Sequence, residues 1–281
     1  MSTTRQAARL STAITLLLAF LVLAIAGTPA HPEAPLARVP LTLAAAAHLP
    51  GAGALSQPET ITTTDQDEQE RDQPALSYTQ ALRLMRTVTP GLVNITTTLP
   101  GRHGTAGTGI VLTSSGLVLT NAHVISGAIA LSVHDLGNGL DYAARIVGVD
   151  RVHDIAVLQL AGAAHLHTAR LGGKVTVGTV VASIGNAHGF GAPSLGAGRV
   201  VALHQTIAST TGQARPLTGL IEARNGVEPG ESGGPMVNTH GHVIGVTVAT
   251  QLDGEGNPTG HGYAIPIATA IAAVRCILEN T

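Results

Sequence analysis

Cysteine is all but missing from this 281-residue chain, with Cys276 alone. An internal disulfide is therefore excluded, and so is a cysteine-based metal site. Tryptophan is absent and aromatics make up 2%, so the core has to be built from the Val, Ile, Leu and Ala that dominate a 44% hydrophobic composition. Charge of one sign is scarce as well: the formal net charge is −2, with no basic block of the kind that binds nucleic acid. The 13 histidines never take an HExxH spacing. His165 and His167 flank Leu166 in a loop-like stretch and read as solvated side chains, not metal ligands. Nothing in the sequence calls for a metal or cofactor.

Glycine is plentiful, with 34 residues. Many glycines among short apolar runs favour many turns and short strands, hence an all-β chain. The first residues carry Arg5 and Arg9 and no acid, and the stretch 10–27 is almost wholly apolar. A positive end before an apolar run is an export signal, so 1–27 is expected to be a signal peptide or a retained anchor. It is long for the first and a little short for a span of about 20 residues. Residues 28–75 hold prolines, an alanine run and the acidic "DQDEQERDQ" without a sustained period, and are expected to form a disordered linker.

Order is expected over 76–281. Ser77 and Gln80 have capping-box spacing, and Tyr78, Ala81, Leu82 and Met85 predict one apolar helical face ending before Pro90. Short β-like runs follow, among them "LVNITTT", "GTGIVLT", "GLVLTNAHV", "AIALSVH", "DIAVLQL", "TVVASIG", "GRVVALH", "HVIGVTVAT" and "GYAIP". A closing helix after Pro266 should bury Ile267, Ile271, Val274 and Leu278, with Cys276 off that stripe.

One segment fits none of these patterns. "EPGESGGPMVN" surrounds Ser232 with glycine and proline, which suits a turn that aims backbone N–H groups beside a hydroxyl. A serine hydroxyl is a weak nucleophile until an imidazole takes its proton, and a carboxylate fixes that imidazole's tautomer. "LTNAHVISG" supplies His123 at the end of an apolar strand, and "GVDRVHDIAVLQL" supplies Asp154 at the head of another.

"TNAHV", "HDIAVLQL" and "EPGESGGPMVN" together resemble the active-site motifs of trypsin-like serine proteases in the HtrA (DegP-like) form, and the similarity extends over roughly 78–278. The resemblance implies two antiparallel six-stranded β-barrels with short N- and C-terminal helices. It implies His123 as general base, Asp154 as its partner and Ser232 as nucleophile, with Gly230 and Ser232 supplying the oxyanion N–H groups. Asp150 competes for the carboxylate role, but Asp154 directly precedes the apolar strand as the motif requires. The primary substrate pocket would be walled by Gly226, Val227, Val246, Thr247 and Val248, with Glu222 and Glu228 the nearest carboxylates. Protein or peptide substrates are implied, and a homo-oligomer is left open.

Three departures stand out. Glu231 occupies the place before the serine where relatives carry Asn or Asp, and Arg224 stands where they commonly carry an acid. The run after "AIPI" is too short for an appended peptide-binding PDZ domain, so none is expected. Two rival readings remain. "GESGG" satisfies an α/β-hydrolase elbow, but β-like sequence follows the serine where that fold needs a helix. A protease fold kept as a catalytically inert binding or chaperone-like module is the stronger rival.

Overall fold

A computed structural model describes residues 75–208, 215–252 and 258–281; the expected signal or anchor, 1–27, and nearly all of the expected linker lie outside the described residues. None of the described helices is long and apolar enough to cross a membrane.

The described chain opens with α1, Tyr78–Val88, whose Ser77 cap is reciprocal. Ser77 Oγ accepts the Gln80 N–H at 3.3 Å, and Gln80 Oε1 accepts the Ser77 N–H at 2.8 Å. A 3₁₀ turn at Thr89–Gly91 follows, with Pro90 near its start. The helix buries Leu84 and Val88, whereas Tyr78 is 78% exposed and Leu82 39% exposed. The expected face was therefore rotated from the real one. Ala81 and Met85 belong to both stripes at i, i+4 spacing, and the pair that packs with them is 84 and 88, not 78 and 82.

Six strands then close the first barrel: β1 Leu92–Leu99, β2 Arg102–Val111, β3 Leu117–Asn121, β4 Ala130–Asp135, β5 Asp141–Asp150 and β6 Ile155–Leu160. Six more close the second: β7 Val180–Gly185, β8 Ser194–Ile207, β9 Leu217–Arg224, β10 Pro235–Asn238, β11 Val243–Leu252 and β12 Pro258–Pro266. The orders are β1-β2-β3-β6-β5-β4 and β10-β11-β12-β9-β8-β7, with every pairing antiparallel. This is the all-β, double-barrel fold that the resemblance implied.

Closure removes sheet edges, which lets a chain so apolar hide its strands. Leu92, Ile110, Leu119, Ile155 and Val157 of the first barrel share one core with Ala182, Ile184, Val237, Val246 and Ile265 of the second. The terminal helix α2, Ile267–Glu279, adds Ile267, Ala270, Ala273 and Val274 to that core. Leu278 was expected on this face but is 44% exposed, because two small alanines let the helix approach on the 270/273/274 side instead. Cys276 is exposed.

Candidate active site

The pairing of β3 with β6 brings the first two candidates together. Asn121 sits opposite Ile155, so the residues just beyond, Ala122 and His123, face Asp154 across the end of the ladder. Asp154 adopts φ 54°, a left-handed conformation uncommon for a residue with a Cβ. In that conformation its carbonyl accepts from Asn121 Nδ2 at 2.9 Å and from the Ala122 N–H at 3.1 Å. Its carboxylate meanwhile takes the His123 N–H on Oδ1 at 2.9 Å and His123 Nδ1 on Oδ2 at 2.7 Å. Asp154 is 3% exposed, while the imidazole stays partly open. A carboxylate offers acceptors only, so Nδ1 carries the hydrogen and Nε2 is left with a lone pair.

Asp150 does something different. Its carboxylate takes His153 Nδ1 at 2.7 Å and caps the N–H groups of Val152 and His153. Burial alone would raise its carboxyl, but the hydrogen bonds and charge of His153 hold it below the ordinary value. Its partner is thus the local turn and not His123.

Ser232 lies in the loop ahead of β10, and its backbone ties the two barrels. The Thr108 N–H of β2 donates to Ser232 O at 2.9 Å. The Gly233 N–H donates to Thr247 O at 2.9 Å, and the Thr247 N–H returns to Gly234 O at 2.8 Å. Gly233 has φ 84°, and a Cβ there would land 2.2 Å from Thr120 Oγ1 and 2.3 Å from Thr108 O. Only glycine permits that approach. The Ser232 hydroxyl itself donates to Val248 O at a long 3.4 Å.

Gly230 is fixed by its neighbours. The His188 N–H holds Pro229 O at 2.7 Å, and in a trans peptide the following N–H points the opposite way. That N–H belongs to Gly230. Thr108 Oγ1 draws Gly230 O inward at 2.9 Å while accepting the Asn186 N–H at 2.9 Å. Among the described residues neither the Gly230 nor the Ser232 N–H has a protein acceptor, which leaves both donors free. Gly230 has φ 98°, and a Cβ would stand 2.2 Å from Asn186 O, so the loop needs glycine here on two counts.

The remaining candidates line up on either side of this loop. Val227, Val246, Thr247 and Val248 are buried, and Gly226 is exposed at φ 60°. The Thr247 hydroxyl turns away into the second barrel, where Ser183 Oγ lies 3.2 Å off and takes Asn225 Nδ2 at 2.8 Å. Glu222 is engaged by His261 Nδ1 at 2.7 Å, and the Glu228 carboxylate lies 3.7 Å from His188 Nε2.

Glu231 is only 1% exposed, an unusual place for a carboxyl. Burial pushes it up to about 7 from 4.5, against the lowering effect of hydrogen bonds from Ser194 and the Glu228 N–H and with the Glu228 charge adding to the rise. An acid whose folded value is raised keeps its proton in the folded chain while the unfolded chain loses it. Stability should therefore fall as pH climbs from about 4.5 through about 7, by about 3 kcal/mol in all. Denaturant melts of the wild type and Glu231→Gln across that window should show the slope in the first and not the second.

Thr108, Asn121 and His188 were not among the sequence candidates. Thr108 and Asn121 stood in the quoted runs as polar residues in apolar strands, which was the available signal. His188 acts through its backbone, which leaves no trace in residue type.

Residues 107–246 match the model of the trypsin-like peptidase domain. A Haemophilus influenzae protein described as "Probable periplasmic serine protease do/HhoA-like" is 36% identical over 176 residues, covering 62% of this chain and 36% of that one. The periplasmic pH-dependent serine endoprotease DegQ of Escherichia coli is 33% identical over 163 residues, covering 57% and 34%. The chain thus spans about a third of the length of these curated relatives. Among solved structures, the HtrA-type protease AlgW with a tripeptide aligns at TM-score 0.64 and 28% identity, over 73% of this chain and 64% of that one. Residues 107–246 thus match the trypsin-like peptidase domain family, and the chain is similar to serine proteases of the HtrA/DegP type.

Proposed function

We propose that the chain is a serine endopeptidase that hydrolyses peptide bonds through His123, Asp154 and Ser232. The observation that carries the reading is a carboxylate-held imidazole just past β3 together with a serine loop, carrying two unpaired N–H groups, that packs against Thr108, Thr120 and Asn121 of β2 and β3. In the acylation step the Ser232 oxygen bonds to the substrate carbonyl carbon while its proton passes to His123 Nε2. The resulting oxyanion takes the N–H groups of Gly230 and Ser232, and the imidazolium is balanced by Asp154. Collapse expels the amine, which leaves with the proton from His123. Water repeats the sequence to release the acid and restore Ser232.

The hydroxyl rests on Val248 O and would have to leave that contact to be activated by the imidazole. Catalytic hydrogen bonds are often long without substrate. An inert module of the same fold would hold that resting rotamer permanently. Digestion of an unfolded polypeptide by the full chain separates the two: cleavage lost in His123→Ala supports the endopeptidase, and no cleavage supports the module.

The relatives described as periplasmic favour action outside the cytoplasm, consistent with export directed by 1–27 and a role in quality control or processing of exported proteins. Specificity follows from the pocket walls. Val227, Val246 and Val248 are apolar and nearly fully buried, so they would back a pocket without opening it to charge, while Glu222 is held by His261 and Glu228 faces His188. Cleavage is expected after Val, Ala, Ile or Leu, graded by about 1–3 kcal/mol per methylene. A peptide-library digest dominated by Lys or Arg before the cut would show a carboxylate in the pocket and overturn this assignment.

A further inference from the structure

The carboxyl one residue before Ser232 has a role that the triad leaves unassigned. Glu231 turns under its own loop instead of into solvent. Its N–H donates to Glu228 O at 3.2 Å, and its Oε2 takes the Glu228 N–H at 3.3 Å, so residues 228–231 close into a ring. Its Oε1 lies 2.6 Å from Ser194 Oγ at the start of β8. The ring contains Pro229 and Gly230, whose shared peptide aims the N–H described above. No lysine, arginine or histidine nitrogen forms an ion pair with this carboxyl among the described residues.

Ser194 has one hydroxyl hydrogen and two acceptors in reach, Glu231 Oε1 at 2.6 Å and Gly185 O at 3.2 Å. With Glu231 protonated, the carboxyl O–H donates to Ser194 Oγ and Ser194 donates to Gly185 O, so every group is satisfied. With Glu231 ionised, the Ser194 hydrogen turns to the carboxylate and Gly185 O loses that hydroxyl contact. The buried anion then keeps that hydrogen and one long backbone contact. The groups facing the ring do not neutralise it. Glu228 on the same loop adds like charge, His188 of the 187–189 turn faces Glu228 at 3.7 Å, and β8 and β2 present only the hydroxyls of Ser194 and Thr108. Burying an uncompensated charge is costly, and swinging the side chain to water relieves it by opening the ring.

We propose that Glu231 is a positioning residue that, in its protonated form, holds the 228–231 ring so that the Gly230 N–H stays aimed at the oxyanion, and that ionisation releases it. This rests on the serine endopeptidase reading given above. The alkaline fall in turnover that follows would be set by a group touching neither substrate nor His123. Burial of the carboxyl places that fall near pH 7.

Two measurements on the full chain test it. Turnover of a peptide substrate followed up to about pH 9 should decline on the alkaline side in the wild type, in kcat more than in KM. Glu231→Gln donates to Ser194 and accepts from the Glu228 N–H as the protonated acid does, so it should abolish the alkaline decline. Glu231→Ala, which opens the ring, should lower kcat by about tenfold to hundredfold throughout. Matching alkaline limbs in wild type and Glu231→Gln, or full activity in Glu231→Ala, would overturn the proposal. The second measurement needs no catalysis: infrared titration of Ser232→Ala against the Ser232→Ala, Glu231→Gln double variant. A protonated carboxyl disappearing near neutral pH is expected, and one that titrates in the ordinary carboxylate range refutes the role. A chain with that buried carboxyl but no turnover at any pH would locate the failure in the endopeptidase reading.

Discussion

Ser232→Ala should lower turnover of a peptide substrate by roughly 10⁴–10⁶ and leave the fold intact. The side chain's only protein hydrogen bond among the described residues is the 3.4 Å contact to Val248 O, too long to contribute much stability. The backbone of the loop is held instead by Thr108, Thr247 and Glu231, none of which depends on the hydroxyl. Loss of rate with an unchanged unfolding midpoint is thus the expected pair of results. A residual rate above that in water would survive, because the free N–H groups of Gly230 and Ser232 remain. A variant that cleaved as well as the wild type would place the nucleophile elsewhere.

Asp154→Asn should cost about 10⁴ for a different reason. The carboxylate accepts twice from His123, once from the backbone N–H and once from Nδ1. An amide can keep one acceptor only. If its oxygen stays on the backbone N–H, its NH₂ faces Nδ1 and donates to it. The ring hydrogen then moves to Nε2, which can no longer take a proton from Ser232. The carbonyl bonds from Asn121 and Ala122 are untouched, so geometry should survive while turnover falls. Asp150→Asn, whose contacts are with Val152 and His153, should retain activity. The reverse pattern in a side-by-side rate measurement would exchange the roles of the two carboxylates.

Much of this was legible in the sequence because the informative residues sit beside strand ends. His123 and Asp154 stand next to apolar runs, so their strands could be recognised and their pairing supplied the geometry. The two missed strands explain the limits of that method. β5 carries Arg145 and alternates between exposed and half-buried positions, so it lacks an apolar run. β9 interrupts its pattern with Gly219 at φ 75° and places Glu222 and Arg224 outward. Helix orientation was the weaker inference. Both α1 and α2 offered two overlapping stripes, and the choice lay in what the barrels presented, which local spacing does not encode. The loop contacts were least legible, since His188 and Gly185 act through backbone atoms, and Glu231 stood out in the sequence only as a departure before the serine, without any sign of its burial under the ring.

Labelling the full chain with a fluorophosphonate, followed by mass mapping of the modified peptide, tests the central claim most directly, because the probe needs a serine activated by an imidazole beside an oxyanion site. One phosphonyl group on Ser232, absent in Ser232→Ala and greatly slowed in His123→Ala, is the result this account predicts. An unlabelled Ser232 in a folded protein, or a label carried by another serine, would contradict it.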